Sequence, residues 1–134
     1  MRDYLARCSG RTAQRKQHTL LRLLRVRHLI ASNPSSRFDL LHLSRIADYS
    51  PWHLTRTYRE VFGETPAEQA ARIRLARAVE LVHTGVLSVR EITEALGFES
   101  ESTFCRYFKK AHGLTTTQAR VAALHDAKRS IAIR

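Results

Sequence analysis

The 134-residue sequence has few of the residues that build disulfide frameworks, membrane spans or β-turns. Two cysteines are too few for a disulfide framework, so a reducing cytoplasm is the default compartment. No apolar run approaches the roughly 18 residues that a membrane span needs, and no signal-peptide hydrophobic core is seen at the N-terminus. Only five glycines and three prolines occur, and strand-like alternation is absent. The sequence therefore predicts an all-α fold.

Acidic residues are also scarce, because 12 Asp and Glu stand against 23 Lys and Arg, for a net charge of +11. Residues 1–37 carry nine Lys and Arg against one Asp, whereas residues 38–123 carry eleven against ten. The central part is nearly neutral, so its bulk charge does not predict a nucleic-acid partner. Two interpretations of the basic flank stay open: it follows a phosphate backbone, or it is a solubilising tail.

Patterns for catalysis or metal binding are absent from the sequence. None of the seven histidines has the spacing to cysteine or carboxylate that zinc sites show. No nucleophile–base pairing and no glycine-rich phosphate loop occurs, so we expect no enzyme activity, metal or cofactor. Cys105 adjoins the cation Arg106, as in a redox-sensing thiol, but a small residue filling a helix face is the favoured interpretation.

Capping signals locate most of the predicted helices. Ser50 is a capping residue followed by Pro51 at the first helical position, which predicts a helix over residues 51–62. Thr65 and Glu68 form a capping box with a proline between them, which predicts a longer helix ending near residue 84. Weaker or similar signals predict further helices over residues 20–33, 39–47, 88–96, 100–112 and 115–124.

The stretch Ser100–Leu114 carries two contrasting faces when it is drawn as a helix. Phe104, Phe108 and Ala111 are spaced at i, i+4 and i+7, which predicts a buried stripe. The opposite side is polar and cationic, as suits a helix that enters a DNA groove. An ordinary surface helix would show the same pattern, so this stretch alone does not decide the function.

A second copy of the pattern lies 49 to 50 positions upstream. Each copy is a short helix, a tight turn and a longer helix, which is the helix-turn-helix pattern. Small residues at Ser44 and Thr93 would let the paired helices approach, and Asp48 and Gly97 suit a left-handed turn. A repeated hairpin without function is the alternative, but two units are too few for a solenoid. The repeat therefore favours DNA binding.

Two sequence runs resemble those of the AraC/XylS transcription regulators. They are S-P-W-H-L-T-R-T-Y-R-E-V-F-G-E-T-P and G-F-E-S-E-S-T-F-C-R-Y-F-K-K-A-H-G-L-T, and the resemblance covers about residues 20–124. The short motifs W-H-L and G-F-E-S are most similar to those of the small stress- and multidrug-response activators of that family. The resemblance implies a bacterial activator that binds double-stranded DNA in the cytoplasm, at the nucleoid, as a monomer or weak dimer, and that touches RNA polymerase.

The resemblance also implies two helix-turn-helix subdomains joined by a linker helix, about seven helices in all. A linker of about 18 residues spans roughly 27 Å, and successive major-groove segments lie roughly 34 Å apart. One chain would therefore read two adjacent segments with helices 51–62 and 100–112. The predicted segments are a flexible basic arm or linker at 1–19, the first subdomain at 20–64, the linker helix at 65–85, the second subdomain at 86–124 and a tail at 125–134.

The resemblance assigns roles to individual residues. Arg56 is the best candidate guanine reader, because one guanidinium can bond O6 and N7 together. Trp52 would pack on sugar and thymine methyl groups, with a partly buried core position as its alternative role. The base-reading candidates are Trp52, Thr55, Arg56, Glu101, Ser102 and Arg106, and the phosphate-contact candidates are Ser50, Arg59, Lys109 and Lys110.

Three positions depart from the pattern of the family. Glu101 replaces a neutral amide, so it can accept from cytosine N4 but is repelled by phosphate. Thr116 stands where proline is usual and Ala119 where an aromatic is usual, so we expect the last helix to pack loosely and the second unit to bind DNA more weakly. Two other functions stay open: a protein-interaction module with weak, non-specific DNA affinity, and the DNA-binding half of a larger ligand-sensing regulator.

Overall fold

A computed structural model describes residues 2–8, 10–33 and 38–133 of the chain. Within these ranges it contains eight α-helices and no strand, so the all-α prediction is confirmed. No helix of this part is long and apolar enough to cross a membrane. The helices are α1 (Arg2–Arg7), α2 (Ala13–Ser32), α3 (Leu40–Ala47), α4 (Pro51–Phe62), α5 (Pro66–Thr84), α6 (Val89–Ala95), α7 (Glu101–His112) and α8 (Thr116–Ile133).

The chain folds as two compact units, Met1–Arg72 and Ile73–Arg134. Helices α1 to α4 belong to the first unit and α6 to α8 to the second, while α5 contributes residues to both. Each unit has its own apolar core, so each can hold its own helix-turn-helix pair.

The core of the first unit is built from α2, α3 and α4. Each helix turns an apolar face inward at the 3.6-residue period, which is why these amphipathic segments form helices in this chain. The buried hydrophobic side chains of these three helices are Leu20, Leu23, Val26, Ile30, Leu43, Ala47, Leu54, Tyr58 and Val61.

The core of the second unit is built from α5 to α8, and its buried members are Ala78, Val82, Ile92, Leu96, Phe104, Phe108 and Ala119. Phe104 and Phe108 form the predicted buried stripe of α7. The third predicted member, Ala111, is exposed. It lies in the last turn of α7, where the half-buried ring of His112 packs 5.0 Å from the Phe108 ring.

The N-terminal region differs from the prediction. Helix α2 begins at Ala13 and not at residue 20, because the Thr12 side chain caps it by accepting from the backbone N–H of Arg15 at 3.2 Å. The preceding helix α1 packs on the same unit, with the Tyr4 ring 5.0 Å from Phe62. The described residues of 1–19, which we expected to form a flexible arm, thus lie mostly in two helices. Asn33 ends α2 as predicted, and residues 34–37 of the same stop signal lie outside the described residues.

The C-terminal region also differs. Helix α8 continues to Ile133, past the predicted end at residue 124. Thr116 and Ala119 are buried, and Arg120 reaches back to the carbonyl oxygens of Val82 and Leu87. The expectation of loose packing at this edge is therefore wrong, because a small alanine fits the core and an arginine ties the helix to its unit.

Candidate nucleic-acid interface

The two tight turns have the same backbone geometry. Asp48 has φ +58° and Gly97 has φ +75°, so both lie in the left-handed region, as the sequence predicted. Each donates its backbone N–H to a carbonyl three residues back, Asp48 to Arg45 at 3.1 Å and Gly97 to Glu94 at 3.2 Å. Because the backbone follows the same path in both turns, α4 and α7 leave their turns in a similar direction.

The residues beside the turns are matched as well. The N–H of Tyr49 bonds to the carbonyl of Ser44 at 2.9 Å, and that of Phe98 bonds to the carbonyl of Thr93 at 3.1 Å. Ser44 and Thr93 are buried, which agrees with their predicted place at close helix approaches. Their hydroxyls are satisfied within their own helices, so they cost little when buried.

Helices α4 and α7 begin and end alike. Ser50 accepts from the N–H of His53 at 3.1 Å, and Ser100 accepts from that of Thr103 at 3.2 Å. Both helices end on a left-handed glycine that donates to the last turn. These caps hold the first turn of each helix, the part that presents side chains to base edges in helix-turn-helix proteins.

The repeat begins one helix earlier than the sequence revealed. Arg22 on α2 and Arg74 on α5 are 52 positions apart, and each guanidinium lies over the aromatic residue that follows its turn. The distance is 5.5 Å from Arg22 to the Tyr49 ring and 3.9 Å from Arg74 to the Phe98 ring. Buried partners at the same offset are Val26 with Ala78 and Ile30 with Val82. Sequence identity at these positions is too low for the pairs to be recognised without the structure.

The outer face of α4 presents an aromatic–cation pair. The Trp52 side chain is 68% exposed, so the alternative of a partly buried core residue is not supported. The guanidinium of Arg56 lies 5.2 Å from the Trp52 ring and 3.2 Å from a carboxylate oxygen of Glu60. Arg56 is thus held by two neighbours on its own helix, one of which partly neutralises it.

The other candidates on α4 are also engaged locally. The Thr55 hydroxyl donates to the Pro51 carbonyl at 2.9 Å, which leaves its methyl group and the acceptor lone pairs of its oxygen for a ligand. Arg59 forms an exposed ion pair with Glu68 at 2.5 Å. Ser50 uses its oxygen as the helix cap and keeps its hydroxyl hydrogen for another acceptor.

The outer face of α7 carries cations without partners. Arg106, Lys109 and Lys110 are exposed, and within the part of the chain that the structure describes none has a side-chain ion pair or hydrogen bond. Glu101 and Ser102 are exposed in the first turn. Lys110 stands at the position that Glu60 takes on α4. The α7 face is consequently more positive than the α4 face.

A polar cluster that the sequence did not indicate lies beneath the C-terminal half of α4. The buried Tyr58 hydroxyl donates to the Gln69 side chain, and Arg27 from α2 reaches Gln69 and Glu64, each at 3.4 Å. Burial raises the pKa of Tyr58 to about 12. A hydrogen bond from Arg72 at 2.9 Å lowers the pKa of Glu64. The cluster joins α2 and α4 to the first turns of α5, so it fixes the C-terminal end of α4.

Comparison with known proteins matches this architecture to one family. A family described as a helix-turn-helix domain matches residues 43–122, more than half of the chain. The chain is 28% identical over 93 residues to the transcriptional activator AarP of Providencia stuartii, covering 69% of each chain. It is 35% identical over 72 residues to the probable transcription factor PqrA of Proteus vulgaris, covering 54% of this chain and 59% of PqrA. Some relatives are much longer, and the match spans only 28% and 30% of two of them.

A solved structure gives the same assignment. The chain resembles the DNA-binding domain of the global transcriptional factor AdpA, solved in complex with a target DNA, with a TM-score of 0.68 and 25% identity. The match covers 81% of this chain and 96% of that domain, so both helix-turn-helix units take part in the likeness.

Proposed function

Because the chain belongs to the AraC/XylS family of sequence-specific, DNA-binding transcription regulators, we propose that α4 and α7 each read bases in adjacent major-groove segments of one site. The observation that carries the proposal is the pair Arg56 and Arg106. They stand at equivalent positions of helices with the same cap, turn and glycine end, and both guanidinium groups face solvent. Guanidinium is the group best suited to bond guanine O6 and N7 together.

The neighbours of these arginines suit the rest of a base-reading surface. Trp52 offers a large apolar plane to sugars and thymine methyl groups, and Thr55 offers its methyl group. On α7, Ser102 can donate or accept, and Glu101 can accept from the N4 amine of cytosine. Glu101 has the added effect of penalising sites that bring a phosphate near the start of α7.

Four residues serve as phosphate contacts in this proposal: Ser50, Arg59, Lys109 and Lys110. The unpaired lysines of α7 gain full Coulomb attraction to phosphate, whereas Arg59 must share its charge with Glu68. We therefore expect α7 to supply more of the salt-dependent affinity. This expectation replaces the weaker second unit inferred from the sequence, since the edge at Ala119 is packed.

The proposed DNA partner indicates where the protein acts and how it regulates. Since the partner is DNA and the relatives are bacterial, the protein acts in the bacterial cytoplasm at the nucleoid. AarP is an activator by name, which supports activation and a contact with RNA polymerase for this chain too. Two reading helices in one chain allow binding as a monomer, and a weak dimer would add a second copy of the site.

Selection of bound sequences from a random DNA pool tests the proposal. The purified full chain should enrich a two-part motif, whose parts are separated by about one helical turn. The competing function is a protein-interaction module with only non-specific DNA affinity, and it predicts that no motif is enriched. A pool that stays random after repeated rounds would therefore overturn the proposal.

A further inference from the structure

Helix α2 has a basic face that plays no part in the proposed base reading. Arg15, His18 and Arg22 follow one another at i, i+3 and i+7, so they share one side of the helix, and all three are exposed. They border an open cleft of about 270 Å³ lined by Gly10, Arg15, His18, Thr19, Arg22 and Tyr49. The cleft lies wholly in the first unit.

Arg22 is available to a ligand in a way that its counterpart is not. Arg74 donates to the Leu96 carbonyl at 2.8 Å, lies 3.9 Å from the Phe98 ring and is half-buried, so it holds its own unit together. Arg22 lies 5.5 Å from the Tyr49 ring, and no hydrogen bond or ion pair joins it to another residue of the described ranges. Its exposed guanidinium donors are therefore not used by the described residues and are open to a ligand.

The cleft adjoins the start of the first reading helix. The Arg22 guanidinium lies over the Tyr49 ring. The same ring packs 4.6 Å from the ring of His53, which is in the first turn of α4. Ser50, the cap of that helix, is the next residue after Tyr49. The first turn of a reading helix enters a major groove about 12 Å wide that is bordered by phosphates on both sides. Two ring contacts of 5.5 and 4.6 Å connect the Arg22 guanidinium to the His53 ring, so these two groups lie closer together than the groove is wide.

Resting on the proposed base reading by α4, we propose that the α2 face of Arg15, His18 and Arg22 is a docking surface for the DNA phosphate backbone flanking the α4 half-site. The surface adds affinity that is independent of base sequence and falls with salt. On this proposal the basic N-terminal flank contacts the DNA backbone and is not only a solubilising tail. The face is particular to α2, because positions 52 residues later hold Ala67 and Ala70 where α2 has Arg15 and His18.

The test compares the salt dependence of the wild type with that of three variants of the full chain on the selected site. The variant Arg15→Ala/Arg22→Ala should make the negative slope of log K against log salt shallower by about 1.8, at about 0.9 for each phosphate that the protein no longer neutralises. It should select the same base motif as the wild type. Arg15→Lys/Arg22→Lys keeps both charges and should keep most of the slope. Lys128→Ala/Arg129→Ala removes the same charge from the exposed end of α8 and should leave the slope unchanged.

A shortened duplex locates the contact. Removing base pairs beyond the α4 half-site should make the wild type bind like Arg15→Ala/Arg22→Ala, whereas shortening the α7 side should not. An unchanged slope in the alanine variant, or an equal loss in Lys128→Ala/Arg129→Ala, would overturn the docking surface. Unequal binding of wild type and alanine variant to the α4-shortened duplex would mean that the two arginines act through something other than the flanking phosphates, which also overturns it. A wild type that selects no motif is a separate result, because it refutes base reading itself.

Discussion

At the scale of single residues, the two candidate guanine readers differ in what surrounds them. Arg56 is held between Trp52 and Glu60, whereas Arg106 has Lys110 one turn away. A held guanidinium is partly preorganised for a base, while a free one is attracted more strongly to the DNA as a whole. The sequence predicted both arginines as site residues, but it did not show that only one of them is paired.

Glu64 is a residue of the first unit whose protonation should affect stability. Its pKa is lowered mainly by the hydrogen bond from Arg72, and Arg27 adds to the effect. A carboxylate with a lowered folded-state pKa contributes stability above its unfolded pKa, and this contribution is lost as the pH falls through the folded-state value.

We predict that Glu64→Gln lowers the free energy of unfolding at pH 7 by about 1 kcal/mol or less, since Arg72 is largely exposed and solvent screens the pair. Urea titrations at pH 7 and at pH 3 measure the effect. The difference between wild type and variant should be smaller at pH 3 than at pH 7, because the contribution of the carboxylate is lost as the pH falls through its lowered pKa. A difference that stays constant with pH would contradict this role for the carboxylate.

At the scale of elements, the sequence predicted most helix ends because capping is a local interaction. The signals at Ser50, Gly63, Ser88 and Gly113 all correspond to observed caps. The predicted start of α2 was wrong, because Thr12 has no Glu or Gln three residues later to complete a capping box and residues 13–19 have no large apolar side chain to show a helical period. The cluster around Gln69 was invisible in the sequence, since it joins residues up to 42 positions apart.

The turn of the second unit offers the sharpest element-scale prediction. Gly97 has φ +75°, where a Cβ atom meets the following carbonyl, so Gly97→Ala should cost about 1–2 kcal/mol of stability. Asp48 takes the same conformation with a side chain, so Asp48→Gly should be neutral or stabilise by up to about 1 kcal/mol. Urea titration monitored by circular dichroism measures both. An unchanged midpoint for Gly97→Ala would contradict the requirement for a left-handed turn.

At the scale of the whole molecule, the sequence identified two helix-turn-helix units. Each unit contains one copy of the repeat and one sequence run that resembles the family. Two features escaped it: the matching of α2 with α5, whose residues have diverged, and the packing of α1. The basic flank illustrates the limit most clearly. Its charge could be counted from the sequence, but only the fold places Arg22 beside the turn that precedes α4.

The central claim is that both helices read bases within one site. Selection from a random DNA pool with wild type, Arg56→Ala and Arg106→Ala tests it most directly, with Arg90→Ala on α6 as a matched control. We predict that each reading-helix variant relaxes the preference at one base position, in a different half of the motif, and loses about 1–3 kcal/mol on the wild-type site. Arg90→Ala should select the wild-type motif. If Arg56→Ala or Arg106→Ala selects the intact motif, or loses affinity equally on all sequences, the claim is contradicted.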